Sequence, residues 1–175
     1  MLLMVKSFKM AMKRNRWIWI FILLTMVNCA TQQERAEQRS WMKQAVTEAL
    51  SKRQLHIDIR SMNTLRYGTR TVPPDFFLEL RGDTLHSYLP YLGQAQGASM
   101  ASPSIGLNFE APVLHYTECQ PKAGVTRLEI DVRTQEDGHH YVIEVYDTGE
   151  ALVRVRSQHR DPVSFDGSVM PCFNK

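Results

Sequence analysis

The sequence predicts a mainly β domain, an antiparallel β-sandwich or flattened barrel of about seven or eight strands, with one amphipathic helix at its N-terminal end. Three observations lead to this fold class. Apolar residues recur at helical spacing between residues 34 and 51, apolar and polar residues alternate from Leu55 onward, and glycine-containing turns separate the alternating segments. The chain has 175 residues, of which 43% are hydrophobic and 22% charged, a composition typical of a single globular domain.

The helix is predicted over residues 34–51. Its apolar residues lie on one face and polar side chains occupy the other, and the polar face is not markedly basic. We therefore expect the apolar face to pack on a sheet rather than on a membrane surface. The members of this face are Trp41, Met42, Ala45, Val46, Ala49 and Leu50.

Strands are predicted where the hydrophobic period changes from helical spacing to two residues. The first begins at Leu55, and the turn Gly82-Asp83 separates two others. Residues 93–104 lack any period and form the longest predicted loop. Two short strands are expected on either side of Pro112, and a last strand, 163–169, completes an antiparallel meander.

Two hairpins can be predicted in detail. Asp137-Gly138 suits a two-residue type I′ turn, which would pair Val132 with Ile143. The next hairpin needs a three-residue loop, 147–149, with Gly149 in the left-handed conformation, and would pair Ile143 with Val153. A two-residue turn there would mix the apolar and polar faces, because a slip of one residue inverts every side chain.

The first 28 residues have the pattern of an export signal. Residues 1–16 carry five basic side chains and no acidic one, and a hydrophobic run follows from Trp17 to Val27. In a helix this run covers about half of a hydrocarbon core roughly 30 Å thick, so it is short for a membrane span and typical of a signal peptide. Met10 or Met12 as the true start would give a leader of more usual length.

Cys29 directly follows this hydrophobic run and predicts a lipoprotein. Residues 24–29 resemble a lipobox, with Asn28 where a smaller residue is usual. We expect residues 1–28 to be removed, Cys29 to be acylated, residues 29–33 to form a tether and residues 34–175 to form one domain. The membrane would then be a partner through the lipid. The alternatives are cleavage nearby, with Cys29 an incidental thiol, and a retained transmembrane anchor.

The other two cysteines are consistent with export. With Cys29 lipidated, Cys119 and Cys172 remain as an even pair in an oxidising compartment. A disulfide between them would close a long loop and stabilise the fold by about 4 kcal/mol. The alternative is two unpaired buried thiols.

The distribution of charge gives no reason to expect nucleic-acid binding. The net charge is +3, but the leader holds five of the 21 basic residues and none of the 18 acidic ones. The rest of the chain therefore has 16 basic against 18 acidic residues, a net charge of −2. A nucleic-acid-binding domain is usually basic.

Several blocks of the sequence resemble a known family. These are the run from Phe77 to Gly93, which contains Tyr-Leu-Pro-Tyr, the segment Gly106-Leu107-Asn108-Phe109, and the stretch from Gly149 through Arg160 to Gly167. They resemble a domain-of-unknown-function family of small cell-envelope lipoproteins from Gram-negative gut bacteria. The resemblance implies an anchored envelope protein and brings no activity or cofactor. Such proteins often have acidic residues after the cysteine when sent to the cell surface; residues 30–33 have none, so we expect the outer membrane, facing the periplasm.

No catalytic, cofactor or metal motif is present, so an enzyme is not expected. His139 and His140 are adjacent at the start of a predicted strand and should point to opposite faces, so the two rings are poorly placed to bind one metal ion. The favoured interpretation is that both are exposed residues beside the turn. His115 and Cys119 lack a second pair of metal ligands. Arg154 and Arg156 lie near Glu144 and suggest either an anion site or, as the favoured alternative, a solvated ion pair.

Tyr88, Tyr91 and Arg160 are the predicted ligand-binding residues. Tyrosines beside the loop 93–104 can line a carbohydrate or peptide cleft. In the alternative interpretation they cover the end of the sheet, and Arg160 clamps a loop. The sequence thus favours a non-catalytic binding or assembly module for an unknown envelope ligand or protein. The second hypothesis is an envelope hydrolase with a carboxylate-based site.

Overall fold

The computed structural model describes residues 33–92, 106–135 and 137–170. The predicted signal peptide, Cys29, the loop 93–104 and Cys172 lie outside these residues. The described chain divides into two units, with the boundary inside the helix α1, residues 33–51. Residues 33–41 are helical and exposed, and residues from Met42 onward form the compact unit. Its strands are β1 Gln54–Thr64, β2 Gly68–Thr71, β3 Phe77–Arg81, β4 Thr84–Pro90, β5 Gly106–Lys122, β6 Val125–Arg133, β7 Gly138–Tyr146, β8 Glu150–Ser157 and β9 Val163–Met170.

Eight of the strands close into an antiparallel barrel. Their order is β1-β3-β4-β5-β6-β7-β8-β9, and β9 pairs back onto β1. The short strand β2 extends the sheet beside the second half of β1. Closure leaves no unpaired edge along the eight strands. The predicted fold class is confirmed, and of its two forms the barrel is the one that occurs.

The interior of the barrel is filled by apolar side chains. Along most of the barrel strands the buried residues alternate with exposed or half-buried ones, as in β9, where Val163, Phe165 and Val169 are buried. A barrel of eight strands is just wide enough to be filled in this way. In the compact unit, Val46 and Leu50 of α1 join the same core. The predicted apolar face of the helix therefore packs on the sheet, but Trp41 remains 46% exposed.

A few buried polar groups lie among these apolar side chains, and they are hydrogen-bonded. The hydroxyl of Tyr141 donates to Ser87 Oγ at 3.1 Å, and Ser87 Oγ donates to the carbonyl of Leu107 at 2.7 Å. Burial raises the pKa of Tyr141 above its ordinary value. His139 Nδ1 lies 2.7 Å from Ser157 Oγ. These bonds connect β4 to β5 and β7, and β7 to β8.

The β7–β8 hairpin has the predicted geometry. Ile143 pairs with Val153, and Tyr141 pairs with Val155. Gly149 has φ +84°, the left-handed conformation that favours glycine. A side chain at this position would also contact Met42 of α1, whose Sδ lies 2.8 Å from the position of a Cβ atom.

The β6–β7 hairpin differs from the prediction. Arg133 pairs with Gly138, and Val132 pairs with His139 instead of Ile143, so the loop is 134–137 and Gly138 belongs to β7. The loop is held by the side chain of Thr134, whose Oγ1 accepts a hydrogen bond from the Asp137 N–H at 3.0 Å. The Asp137 carboxylate accepts hydrogen bonds from the backbone N–H groups of Gly138 and Gln158.

The two short strands predicted around Pro112 are one strand, β5. The pairing with β4 includes Pro112, which lies opposite Thr84. The pairing with β6 begins at Val113 and shifts between Val113 and His115, which indicates a β-bulge. A proline lacks the N–H of a ladder hydrogen bond, but at this position the strand continues past it.

Candidate functional site

The structure separates the two predicted tyrosines. Tyr88 lies on the outer face of β4 and is 41% exposed, whereas Tyr91 is only 7% exposed. Tyr91 is the first residue after β4, and it is buried on the same side as Leu89, whereas Tyr88 points outward. The two rings therefore do not line one cleft.

Tyr91 is instead placed beside Arg160. The guanidinium carbon of Arg160 lies 5.4 Å from the centre of the Tyr91 ring. The Tyr91 hydroxyl donates to the carbonyl of Asp161 at 3.4 Å, and Arg66 Nε lies 3.7 Å from the Asp161 carboxylate. Burial raises the pKa of Tyr91. These contacts join the end of β4, and through Arg66 the turn after β1, to the segment between β8 and β9; the ligand-binding role of Tyr91 and Arg160 stays a prediction.

Tyr88 belongs to a group of rings on the outer face of β1, β3 and β4. Its ring centre lies 5.3 Å from that of Phe76 and 5.8 Å from that of Phe77. Phe77 in turn stacks on His56, with 5.2 Å between the centres and 19° between the planes. We call these four residues, His56, Phe76, Phe77 and Tyr88, the aromatic face.

The strand register explains why these rings meet. Phe77 pairs directly with Tyr88 across β3 and β4, while Leu78 and Leu89, one position further along each strand, point into the core. Outward positions of a half-buried strand are usually polar, so an aromatic residue at such a position in each of two strands is a signal in the sequence, although their pairing is known only from the register. The aromatic pair also stabilises the sheet, by up to about 1 kcal/mol.

Polar side chains surround the aromatic face. His56 Nε2 lies 3.0 Å from Asp58 Oδ1, and His56 Nδ1 lies 3.8 Å from Glu79 Oε1. Arg81 Nη2 forms an ion pair with Glu79 at 2.8 Å. Asn108 of β5 is the cross-strand neighbour of Tyr88. The exposed Tyr88 ring and its half-buried aromatic neighbours are thus combined with amide, carboxylate and imidazole groups, without an excess of positive charge.

The two adjacent histidines point to opposite faces, as predicted. The expectation that both are exposed is wrong for His139, which is 5% exposed and stacks on Phe109 with 4.9 Å between the ring centres. Within the described ranges no group of three or more His, Cys, Asp or Glu residues is arranged to hold a metal ion.

Cys119 is exposed. Its predicted partner Cys172 lies outside the described residues, so the disulfide stays a prediction.

The predicted grouping of Arg154 with Glu144 is present, but Arg156 is not part of it. Arg127 Nη2 lies 2.7 Å from Glu144 Oε1, and Arg154 Nη1 lies 3.5 Å from the same oxygen. Hydrogen bonding to Arg127 holds the pKa of Glu144 below its ordinary value. Glu144 therefore forms ion pairs with both Arg127 and Arg154.

In the part of the chain that the structure describes, no helix has the length and hydrophobicity of a membrane span.

Comparisons with known proteins agree with the fold. A crystal structure of a DUF4251 family protein from Bacteroides eggerthii is similar over 74% of this chain and 87% of its own length, with a TM-score of 0.57 and 14% sequence identity. At this identity the likeness concerns the fold alone. No curated protein matches the chain. The family model described as Domain of unknown function (DUF4251) matches residues 37–169, more than half of the sequence, and the chain therefore belongs to the DUF4251 family.

Proposed function

We propose that this protein is a lipid-anchored, non-catalytic binding module of the cell envelope, and that its aromatic face binds a neutral sugar ring. The anchor would be an acyl group on Cys29 after removal of residues 1–28, at the outer membrane and facing the periplasm. The basic segment, the short hydrophobic run and the cysteine that follows it support this address.

The single observation that carries the binding proposal is the exposed Tyr88 ring held against Phe76 and Phe77. One face of a pyranose ring presents C–H groups, which pack against an aromatic ring, while its hydroxyls need hydrogen-bond partners. Tyrosine suits this role because its ring buries apolar area while its hydroxyl stays in water. Asp58, Glu79 and Asn108 provide acceptors and a donor nearby.

The charges on this surface favour a neutral sugar. Asp58 lies beside His56, and Glu79 is paired with Arg81. A sugar that carries carboxylate or sulfate groups would have to compete with Glu79 for Arg81 and would be repelled by the Asp58 carboxylate, because like charges at close range are unfavourable. A neutral oligosaccharide meets no such repulsion.

Substitution of Tyr88 tests the sugar site. We expect at least one of cellotetraose, mannotetraose and chitotetraose to bind the purified protein, and Tyr88→Ala to weaken that binding about tenfold, or ~1.4 kcal/mol, because a stacking surface is lost. Isothermal titration calorimetry measures the affinity. Tyr67→Ala is the matched control, since Tyr67 is also exposed, at 55%, but lies outside the aromatic face.

Three results would contradict this proposal. No saturable binding of any of the three oligosaccharides up to about 10 mM would remove the sugar site. An equal loss in the Tyr67 variant would show that any exposed tyrosine produces the effect. Release of shorter sugars during the incubation, detected by chromatography, would support the alternative of an envelope hydrolase with a carboxylate-based site.

The anchor is tested by Cys29→Ala in a Gram-negative host. We expect the unsubstituted protein to fractionate with membranes and to carry fatty acid at a mature N-terminal cysteine, because the thiol is the acylated group. The variant should lose the fatty acid and keep its leader or leave the membrane fraction. Mass spectrometry of the N-terminus detects the fatty acid and the leader, and membrane fractionation measures the association with the membrane. A mature protein that begins at another residue and lacks fatty acid would contradict the anchor, whatever the result for the sugar site.

A further inference from the structure

A second surface lies about half-way around the barrel from the aromatic face. Residues of strands β5 to β8 and the residue that follows β8 line an open depression of about 360 Å³. A volume of this size lies within the range of small-ligand pockets, roughly 300–1,000 Å³. We call it the β5–β8 depression, and the lining residues that matter here are Leu114, Asp131, Arg133, His140 and Arg156.

A β-bulge shapes one side of this depression. Val113 pairs with Val132, and His115 pairs with Asp131, so Leu114 has no partner of its own on β6. Bulges redirect a side chain and are frequent beside functional sites. Leu114 is 64% exposed and contributes apolar surface at the edge of the depression.

The centre of the depression is a polar row that runs across three strands. Asp131 of β6 pairs with His140 of β7, which pairs with Arg156 of β8. His140 Nδ1 lies 2.6 Å from Asp131 Oδ1. This contact orients the imidazole and occupies the carboxylate, so that Nε2 is the ring nitrogen left for a ligand.

Two arginines give the depression its positive charge. Among the described residues neither Arg133 nor Arg156 forms an ion pair, in contrast to Arg127 and Arg154, which share Glu144. Asp131 is the carboxylate among the lining residues, and it contacts His140. The surface is therefore locally positive in a chain whose residues after the leader carry a net charge of −2.

From this geometry we propose that the β5–β8 depression binds an oxyanion, a carboxylate or phosphate group, attached to a short apolar stem. Arg133 and Arg156 contact the anion, because guanidinium groups match the geometry of carboxylate and phosphate oxygens. His140 adds a further polar contact, and Leu114 packs against the stem. The site is separate from the sugar site and does not depend on it.

Titrations with butyrate, butyl phosphate and butyramide test this site, with the full chain in a non-ionic detergent. Chemical shifts of the arginine side-chain N–H groups and of the His140 ring report binding. We expect at least one of the two anions to bind at least about fivefold more tightly than neutral butyramide, with a dissociation constant in the millimolar range, since the site is open. The anion that binds more tightly identifies the group.

Arginine variants assign the site to the depression. Arg156→Gln and Arg133→Gln should each weaken binding of the anion about fivefold or more, because one guanidinium contact is lost. Arg154→Gln is the matched control: it lies on the same strand and face, two residues from Arg156, but contacts Glu144. Its effect on anion binding should be less than about twofold.

Each other result overturns the proposal. Equal binding of butyramide would show that charge is not recognised. An equal loss in Arg154→Gln would show that the anions respond only to the general charge of the surface. Absence of saturable binding of both anions up to about 50 mM would remove the site.

The fold of each variant is checked separately. A far-ultraviolet circular dichroism spectrum identical to that of the unsubstituted protein shows that the fold is intact.

Discussion

Replacing Gly167 with alanine should destabilise the barrel by about 3 kcal/mol, a large effect for one added methyl group. Gly167 is buried in β9 and pairs with Ile59 of β1. A Cβ atom at this position would press against the carbonyl oxygen of Asp58 and lie 2.9 Å from Ile57 Cγ2. The obstacle is mainly backbone, which cannot rotate away as a side chain can.

The strand that would have to move is held on both sides. Residues Ile57 and Asp58 of β1 pair with Leu78 and Phe77 of β3, and also with β9. Between Ile59 and Ser61 the β1–β9 register shifts, and the Arg60 guanidinium donates to the carbonyl of Gly167 at 3.1 Å. Close approach of the two backbones at this irregularity requires a residue without a side chain.

Urea unfolding followed by circular dichroism measures the change in the free energy of unfolding. Ser168→Ala is the control, because Ser168 is adjacent in the same strand but points away from the core, and we expect a change within about 0.5 kcal/mol. A loss of less than about 1 kcal/mol in Gly167→Ala would mean that β1 moves aside easily, and would contradict the close packing described above.

The alternation of apolar residues predicted the strands, and the structure shows why it did not also predict every pairing. In the β7–β8 hairpin the alternatives differed by one residue, which would invert the faces, so Ile143 could be paired correctly with Val153. In the β6–β7 hairpin the predicted and observed partners of Val132 are Ile143 and His139, four residues apart. A shift by an even number keeps every side chain on its face, and the hydrophobic pattern cannot distinguish the two registers.

Closure of the barrel depends on a contact that no local pattern contains. Strands β1 and β9 are separated by most of the chain, and their pairing distinguishes a barrel from a sandwich. The sequence therefore predicted strand positions and the mainly β class, but left these two architectures open. The same reason applies to Pro112, which suggested a break in a strand that tertiary pairing carries through.

The candidate surfaces were predictable to different degrees. Tyr88 was predicted to bind a ligand, and this stays a prediction; its stacking with Phe76 and Phe77 depends on the register of β3 and β4. Arg156 was grouped with Arg154 because both lie on one strand face. The structure places Arg154 at Glu144 and Arg156 opposite His140, a difference set by the positions of neighbouring strands.

Asp137 was predicted to form a tight turn with Gly138, and its observed role leads to a second prediction of large effect. The residue is 7% exposed. One carboxylate oxygen accepts hydrogen bonds from the backbone N–H groups of Gly138, at 2.8 Å, and Gln158, at 3.1 Å, and the other accepts from His159 N–H at 3.3 Å. A single side chain thus joins the β6–β7 loop to the end of β8.

We expect Asp137→Ala to lower the free energy of unfolding by about 2–3 kcal/mol, because three backbone donors lose a charged acceptor. Asp137→Asn should lower the free energy of unfolding by about 1 kcal/mol, since the amide oxygen can still accept hydrogen bonds but the amide nitrogen, a donor, cannot replace the second carboxylate oxygen. Asp147→Ala is the control: this aspartate lies in the β7–β8 loop and forms an exposed ion pair with Lys43 at 3.0 Å. Its loss should be below about 1 kcal/mol.

Urea unfolding of the three variants gives the comparison, and hydrogen exchange locates it. In Asp137→Ala the amides of Gly138, Gln158 and His159 should exchange faster, while amides in β3 and β4 should change only as far as global stability falls. If Asp147→Ala were as destabilising as Asp137→Ala, the charge of a loop aspartate rather than its three backbone contacts would account for the effect. Because the carboxylate orders the chain next to His140 and Arg156, the alanine variant should also weaken anion binding in the β5–β8 depression.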